Sequence, residues 1–221
     1  MGIVAEPLTA LTDYGIALEC LIFAGLLWRL SRAEWLWASA FASVSFAAAL
    51  GGTYHALGEW LTAEPLAGLW QGTLLALAIA SFLTLMAEAR RLPRYWQWGL
   101  LVLATAKLIG LLTVEIQPLS FALGVGDYLL SLGMAGLIQW RKYWSREAGQ
   151  LRIAPSTSGP KWMLSGVLIS GAAAMGLLLP DGGQLSPLVL YHGVQMVALY
   201  CIFRSVRAIA RCHPGDDSAE K

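Results

Sequence analysis

Two histidines set in apolar sequence, His55 and His192, are the residues of this chain best suited to chemistry. An imidazole surrounded by oily residues must be solvated by something other than lipid, and so must Gln195, one helical turn beyond His192. Glu19, Gln71, Lys107 and Asp127 are likewise embedded in apolar stretches. A charge at mid-bilayer costs about 2.5–3.5 kcal/mol on the insertion scale, so each of them requires a partner or a wet cavity. Two neutral imidazoles and one carboxylate, Asp127 or Glu19, would bind Zn2+ and leave a fourth position for water. On the metal that water ionises near pH 7, and a second carboxylate could act as general base on a lipid amide or ester.

Each residue also has a plainer use. A membrane histidine often only hydrogen-bonds a neighbouring helix, and Gln195 suits the same task. Lys107 and Asp127 fall at similar depth on consecutive segments, where the simplest arrangement is an ion pair. Glu19 at an interface and Gln71 in a polar pocket complete the set. Three cysteines, Cys20, Cys201 and Cys212, lack metal-type spacing and read as unpaired thiols.

The elements that position these groups are membrane helices. The chain has 221 residues, 57% of them hydrophobic and 13% charged, with mean hydropathy +0.60. Soluble domains carry about 25% charged residues, so the polar surface of a water-soluble globule is missing. A bilayer core of about 30 Å takes roughly 20 apolar residues per helix. Seven segments qualify, near residues 11–28, 35–57, 66–87, 96–114, 119–140, 162–179 and 188–203. The expectation is an all-α, seven-helix transmembrane domain over residues 1–212 with a polar tail at 213–221. The first segment is interrupted near its start by Asp13 and Glu19. No Lys or Arg precedes Arg29, so the segment is expected to be retained rather than cleaved as a signal peptide.

Charge in the connections alternates. Arg29 and Arg32, then Arg90, Arg91 and Arg94, then Arg141 to Lys161, then Arg204 to Lys221 fall on one side; this is fourteen of the fifteen basic residues, Lys107 being the other. The opposite links hold Glu6, Asp13, Glu59, Glu64, Glu115 and Asp181 and no cation. The positive-inside rule puts the C-terminus in the cytoplasm and the N-terminus outside, and an even helix count would break the alternation. Trp28, Trp35, Trp37, Trp96, Trp98, Trp140, Trp144 and Trp162 gather at the cytoplasmic ends as an interfacial belt. Outer turns are short, at 116–118 and 180–183, and the longest loop is cytoplasmic, at 143–160. The expected location is the plasma (inner) membrane of a bacterium, with lipid as the partner and no nucleic acid.

At 1.5 Å per residue, Glu19, Gln71, Lys107, Asp127, His192 and Gln195 all fall in the outer half of the membrane, with His55 near the outer end of the second helix. The cytoplasmic half is expected to hold nothing comparable. Val44, Ala48 and Gly51 share a face with His55, and small residues there admit a close neighbour. Ser120, Gly124, Asp127 and Ser131 form one stripe on the fifth helix, and Leu188, His192, Gln195 and Leu199 share a face of the seventh.

The histidine closing the second helix, in GGTYH, and the one opening the seventh, in YHGVQM, give the chain a resemblance to the seven-helix superfamily of alkaline ceramidases and adiponectin-type receptors. That resemblance implies a zinc ion held by one helix-two and two helix-seven histidines, matching His55 and His192. It departs from the family pattern elsewhere. The position four before His55 is Gly51 rather than serine, and Met196 stands where the second helix-seven histidine belongs. Methionine is a poor ligand for zinc.

Three functions stay open on these residues. A non-catalytic seven-helix module would bind a lipid or small amphipathic ligand in an outer pocket, or serve as an assembly partner. A zinc-dependent hydrolase would act on a lipid amide or ester. A bis-histidine haem carrier would use His55 and His192 as axial ligands. The lack of a lysine in the seventh helix, where a Schiff base would form, speaks against a retinal protein.

Overall fold

The computed structural model describes residues 6–30, 34–113, 119–147, 158–177 and 186–212. Backbone groups in lipid find no water, so a chain this apolar satisfies them within helices, and among the described residues every regular element is α-helical. Seven helices follow in order: α1 (Pro7–Leu30), α2 (Trp35–Leu57), α3 (Ala63–Ala89), α4 (Arg94–Thr113), α5 (Leu119–Glu147), α6 (Ser158–Gly176) and α7 (Pro187–Cys212). Five of them, α1, α2, α3, α5 and α7, are long and apolar enough to cross a membrane. The other two are shorter: α4 opens on the polar-aromatic run Arg94–Trp98 and carries Lys107, and α6 has Lys161 in its first turn.

Helix bounds correct the sequence reading at several ends. α1 starts four residues earlier than expected, which draws Asp13 into its second turn rather than leaving it in a connection. α5 runs to Glu147 and α6 starts at Ser158, so both ends of the expected 143–160 loop are helical, and residues 148–157 lie outside the described ones. The outer turns at 116–118 and 180–183, Glu115, Asp181 and the 213–221 tail lie outside the described residues.

Six helices close a ring in the order α1, α2, α3, α5, α6, α7, with α7 returning to α1. α4 stands outside it, packed on α3 and barely touching α5. Contacts along the ring show neighbouring directions. The Glu6 amide at the start of α1 donates to the His55 carbonyl at the end of α2, and Gly159 at the start of α6 faces Ile209 near the end of α7. One end of the bundle therefore collects Arg29, Arg90, Arg91, Arg94, Arg141, Lys161, Arg204, Arg207 and Arg211; it is called the basic end below.

Side chains fill the ring. Phe23 of α1 stacks on Phe203 of α7 with centroids 4.3 Å apart, and Phe41 of α2 meets Phe23 edge-on at 5.7 Å. Cys20, Leu27, Trp37, Ala80, Leu132, Met163, Leu199, Ile202 and Val206 complete a core drawn from six helices. Outward faces are equally apolar: Leu11, Leu21, Phe46, Val102, Leu137, Leu168 and Val197 are all exposed. Apolar residues on both inside and outside mark a bundle whose surroundings are lipid.

Candidate functional site

The polar groups gather in three places. The first joins α1, α2 and α7 at the end opposite the basic one. His192 Nε2 on α7 lies 3.3 Å from Asp13 Oδ1, and His192 Nδ1 lies 3.1 Å from Thr12 Oγ1. Thr12 and Asp13 are adjacent on α1 and hold the imidazole between them. Asp13 is accommodated because α2 presents Gly51 and Gly52 to it. A Cβ on Gly52 would stand 3.1 Å from Asp13 Cβ and 3.2 Å from the Ala10 carbonyl, and a Cβ on Gly51 would meet Asp13 Oδ2 at 3.5 Å. The small face expected beside His55 thus admits α1 and its carboxylate.

One turn along, His55 Nδ1 lies 3.5 Å from Glu6 Oε2, which also accepts the Thr9 hydroxyl at 3.0 Å. Gln195 is buried one turn beyond His192, and Met196 packs its sulfur 3.6 Å from where a Cβ on Gly15 would stand.

Protons in this cluster can be counted. The Thr12 hydroxyl has one proton, and the Thr9 carbonyl oxygen lies 2.8 Å from it. If Thr12 donates there, His192 Nδ1–H donates to Thr12, and Nε2 and Asp13 Oδ1 must share a further proton. If Thr12 donates to Nδ1, then Nε2–H donates to Asp13. In either arrangement a proton sits between Nε2 and Oδ1. The row can therefore hold one proton and bind α1 to α7. A hydroxyl, imidazole and carboxylate in sequence is also the order in which a base activates a nucleophile.

The second place is where α3, α4 and α5 meet. Lys107 Nζ lies 2.9 Å from Asp127 Oδ1, donates to Ser131 Oγ at 2.6 Å, and reaches the Asp127 carbonyl at 3.3 Å and Ser81 Oγ at 3.4 Å. Ser81 and Ser131 are themselves 2.6 Å apart and buried. Gly124, Asp127 and Ser131 of the stripe on α5 therefore face this junction, with Gly124 against Leu74 of α3, while the Ser120 side chain lies outside the described residues.

The third place overturns the expectation that the half nearer the basic residues holds nothing comparable. Glu88 of α3 is fully buried there. Its Oε1 accepts from Gln139 Nε2 of α5 at 2.8 Å and from Trp37 Nε1 of α2 at 3.2 Å, and Arg91 Nη1 approaches to 3.7 Å. Ser205 of α7 donates to Gln139 Oε1 at 2.9 Å, so four helices share one network. Arg91 in turn donates to both carboxylate oxygens of Glu34 at 2.9 Å. Glu88 reads in sequence as part of the basic connection beside Arg90 and Arg91, and Gln139 as an end residue beside Trp140. The available signal was that both stand where their apolar segments end, at matching depth.

Among the residues expected to form a site, the structure brings His55 and His192 to the same end of the bundle and Lys107 to Asp127. It does not bring Asp127 to the histidines, since its contacts run to α3 and α4. Gln71 is exposed, and Glu19 is half-buried with its Oε2 lacking a hydrogen-bond partner among the described residues. Thr12, Asp13 and Glu6, which do reach the histidines, are the residues the sequence reading left out. For zinc the donor set does not fit in this arrangement: both ring nitrogens of His192 face α1, and no group of three or more His, Cys, Asp or Glu among the described residues is placed to hold a metal ion.

The profile of DUF6962, a family of unknown function, matches residues 8–211. No curated protein and no solved structure matches.

Proposed function

The chain belongs to DUF6962, and we infer that it acts as a non-catalytic seven-helix membrane module, receptor-like or an assembly partner, in which the Thr12–His192–Asp13 row locks α1 to α7. The observation that carries this reading is that each nitrogen of His192 already faces a partner on α1, at 3.1 and 3.3 Å. His55 is likewise turned to Glu6. A small amphipathic ligand would act by loosening or completing this layer. The clustering of cations at one end supports an orientation with the N-terminus outside and the C-terminus in the cytoplasm.

The test is metal analysis and absorption spectroscopy of the purified full chain, with and without His192→Ala. The expected result is zinc far below one per chain, no haem absorbance, and loss of thermal stability in the variant. One zinc per chain that His192→Ala removes would replace this reading with a metal-dependent lipid hydrolase. A haem spectrum lost in the same variant would replace it with an electron carrier.

A second reading has one observation in its favour. The hydroxyl–imidazole–carboxylate order of Thr12, His192 and Asp13 suits metal-free hydrolysis of a lipid amide or ester, with the imidazole taking the hydroxyl proton as the oxygen attacks. The 2.8 Å contact of Thr12 Oγ1 to the Thr9 carbonyl weighs against it, because it offers the hydroxyl proton to the backbone. Hydrolysis of a lipid amide or ester that Thr12→Val abolishes, while folding is unchanged, would establish it.

A further inference from the structure

The α1–α7 seam that His192 and Asp13 close at one end opens at the other. At the basic end a cavity of about 230 Å³ lies between the two helices, lined by Leu26, Arg29 and Leu30 of α1 and by Phe203 and Arg207 of α7. Phe203 is buried and forms the floor, while Leu26 and Leu30 stand at the rim, 46% and 40% exposed. The Arg207 guanidinium lies 5.9 Å from the Phe203 ring centre.

Two other cations at this end have partners of their own. Arg91 is paired with Glu34. Arg204 sits over the Trp162 ring at 5.0 Å and donates to the Tyr200 hydroxyl. Arg29 and Arg207 have no carboxylate partner among the described residues, and both line the same apolar cavity. Two unneutralised guanidinium groups favour an anion with several oxygens, since each can donate through more than one N–H. The leucine and phenylalanine walls gain nothing from a free anion, but they suit the hydrocarbon that follows a lipid phosphate. Basic pockets between membrane helices are suited to anionic head groups for the same reason.

We propose that this cavity binds an anionic phospholipid, its phosphate held between Arg29 and Arg207 and its first methylenes laid on Leu26, Leu30 and Phe203. The lipid completes the α1–α7 seam at the basic end, as the His192–Asp13 contact completes it at the other. The site is independent of what the polar layer does, and it stands if that layer proves catalytic.

The experiment uses the delipidated full chain in neutral detergent. Binding and thermal unfolding are measured with dioleoyl phosphatidylglycerol, dioleoyl phosphatidylcholine and inorganic phosphate. Phosphatidylglycerol is expected to bind at least about tenfold more tightly than phosphatidylcholine and to raise the unfolding temperature, with inorganic phosphate doing neither. One surface cation is worth about fivefold in affinity for an anionic lipid, so the double variant R29Q/R207Q should weaken phosphatidylglycerol binding about 25-fold. R29K/R207K should keep most of it. The pair R94Q/R141Q changes net charge equally and should leave it intact. Equal binding of the two lipids by the unmodified chain overturns the proposal, as does an equal loss in R94Q/R141Q, which would indicate a diffuse surface field. Displacement of phosphatidylglycerol by millimolar inorganic phosphate overturns it in favour of a free-anion site.

Discussion

Lys107 Nζ of α4 lies 2.9 Å from Asp127 Oδ1 of α5, although the two helices hardly touch elsewhere. The ammonium has three protons, and Asp127, Ser131 and Ser81 surround it with acceptors on α3 and α5. α4 lies outside the ring, so a charged side chain rather than an apolar seam joins it to α5. Both partners are largely shielded, at 14% and 10% side-chain exposure.

Removing one partner of such a pair is expected to cost more than removing both, because a shielded charge is left without its counterion. Asp127→Asn should destabilise the fold by about 3–5 kcal/mol, and the double change Lys107→Met with Asp127→Leu should recover most of that. Thermal unfolding in detergent gives the comparison. An unchanged midpoint in Asp127→Asn would mean that the ion pair contributes nothing to holding α4.

The His192 row predicts a graded series. His192→Ala leaves Asp13 facing Gly51 with no partner and opens space at the α1–α7 contact, at a cost of about 2–3 kcal/mol. Asp13→Asn keeps an oxygen that can accept from Nε2–H and should cost no more than about 1 kcal/mol. Thr12→Val removes one interhelical hydrogen bond, and such bonds average about 0.6 kcal/mol in membrane bundles. Unfolding midpoints in that order are expected; a loss in Thr12→Val equal to that in His192→Ala would argue against Asp13 as the main partner.

Much of this architecture was legible in the sequence, because length and hydropathy alone dictate helices once water is excluded. The Lys107–Asp127 contact followed from matched depth on antiparallel neighbours, a distance that rise per residue determines. The partners of the histidines were hidden for a different reason. Asp13 and Glu6 precede the first clean apolar run, so they read as connection, and only the close approach of α1 to Gly51 and Gly52 draws Asp13 inward. Glu88 and Gln139 were hidden by their neighbours Arg90, Arg91 and Trp140, which mark an interface. Helix order around the ring, which puts α1 beside α7 and α5 beside α3, leaves no trace in a single apolar sequence.

The α6–α7 seam predicts a contrast between two glycines. A Cβ on Gly166 would lie 2.7 Å from Ile202 Cγ1 and 2.9 Å from the Ala198 carbonyl, so the backbone of α7 would have to move. A Cβ on Gly72 would meet only the tip of the Leu50 side chain at 2.9 Å, which can rotate away. Gly166→Ala should cost about 1–3 kcal/mol through overpacking, while Gly72→Ala should fall within about 1 kcal/mol of the unmodified chain. Equal midpoints for the two variants would show that α6 and α7 are not held this closely.

The Glu88 network gives the sharpest test of whether a buried acid is needed for its charge or for its oxygen. Oε1 accepts from both Gln139 and Trp37, whereas Oε2 has no hydrogen-bond partner among the described residues. Glu88→Gln can place its amide oxygen where Oε1 stands and keep both donors satisfied, so a change within about 1 kcal/mol is expected. Glu88→Leu strips the acceptor from two buried donors on two helices, at a cost of about 1–3 kcal/mol for each group left unsatisfied. Gln139→Leu should fall between them, because it frees Ser205 as well as Glu88 while Trp37 keeps its acceptor. Unfolding midpoints that drop equally in Glu88→Gln and Glu88→Leu would mean that the negative charge beside Arg91, and not the shared oxygen, holds α2, α3 and α5 together at the basic end.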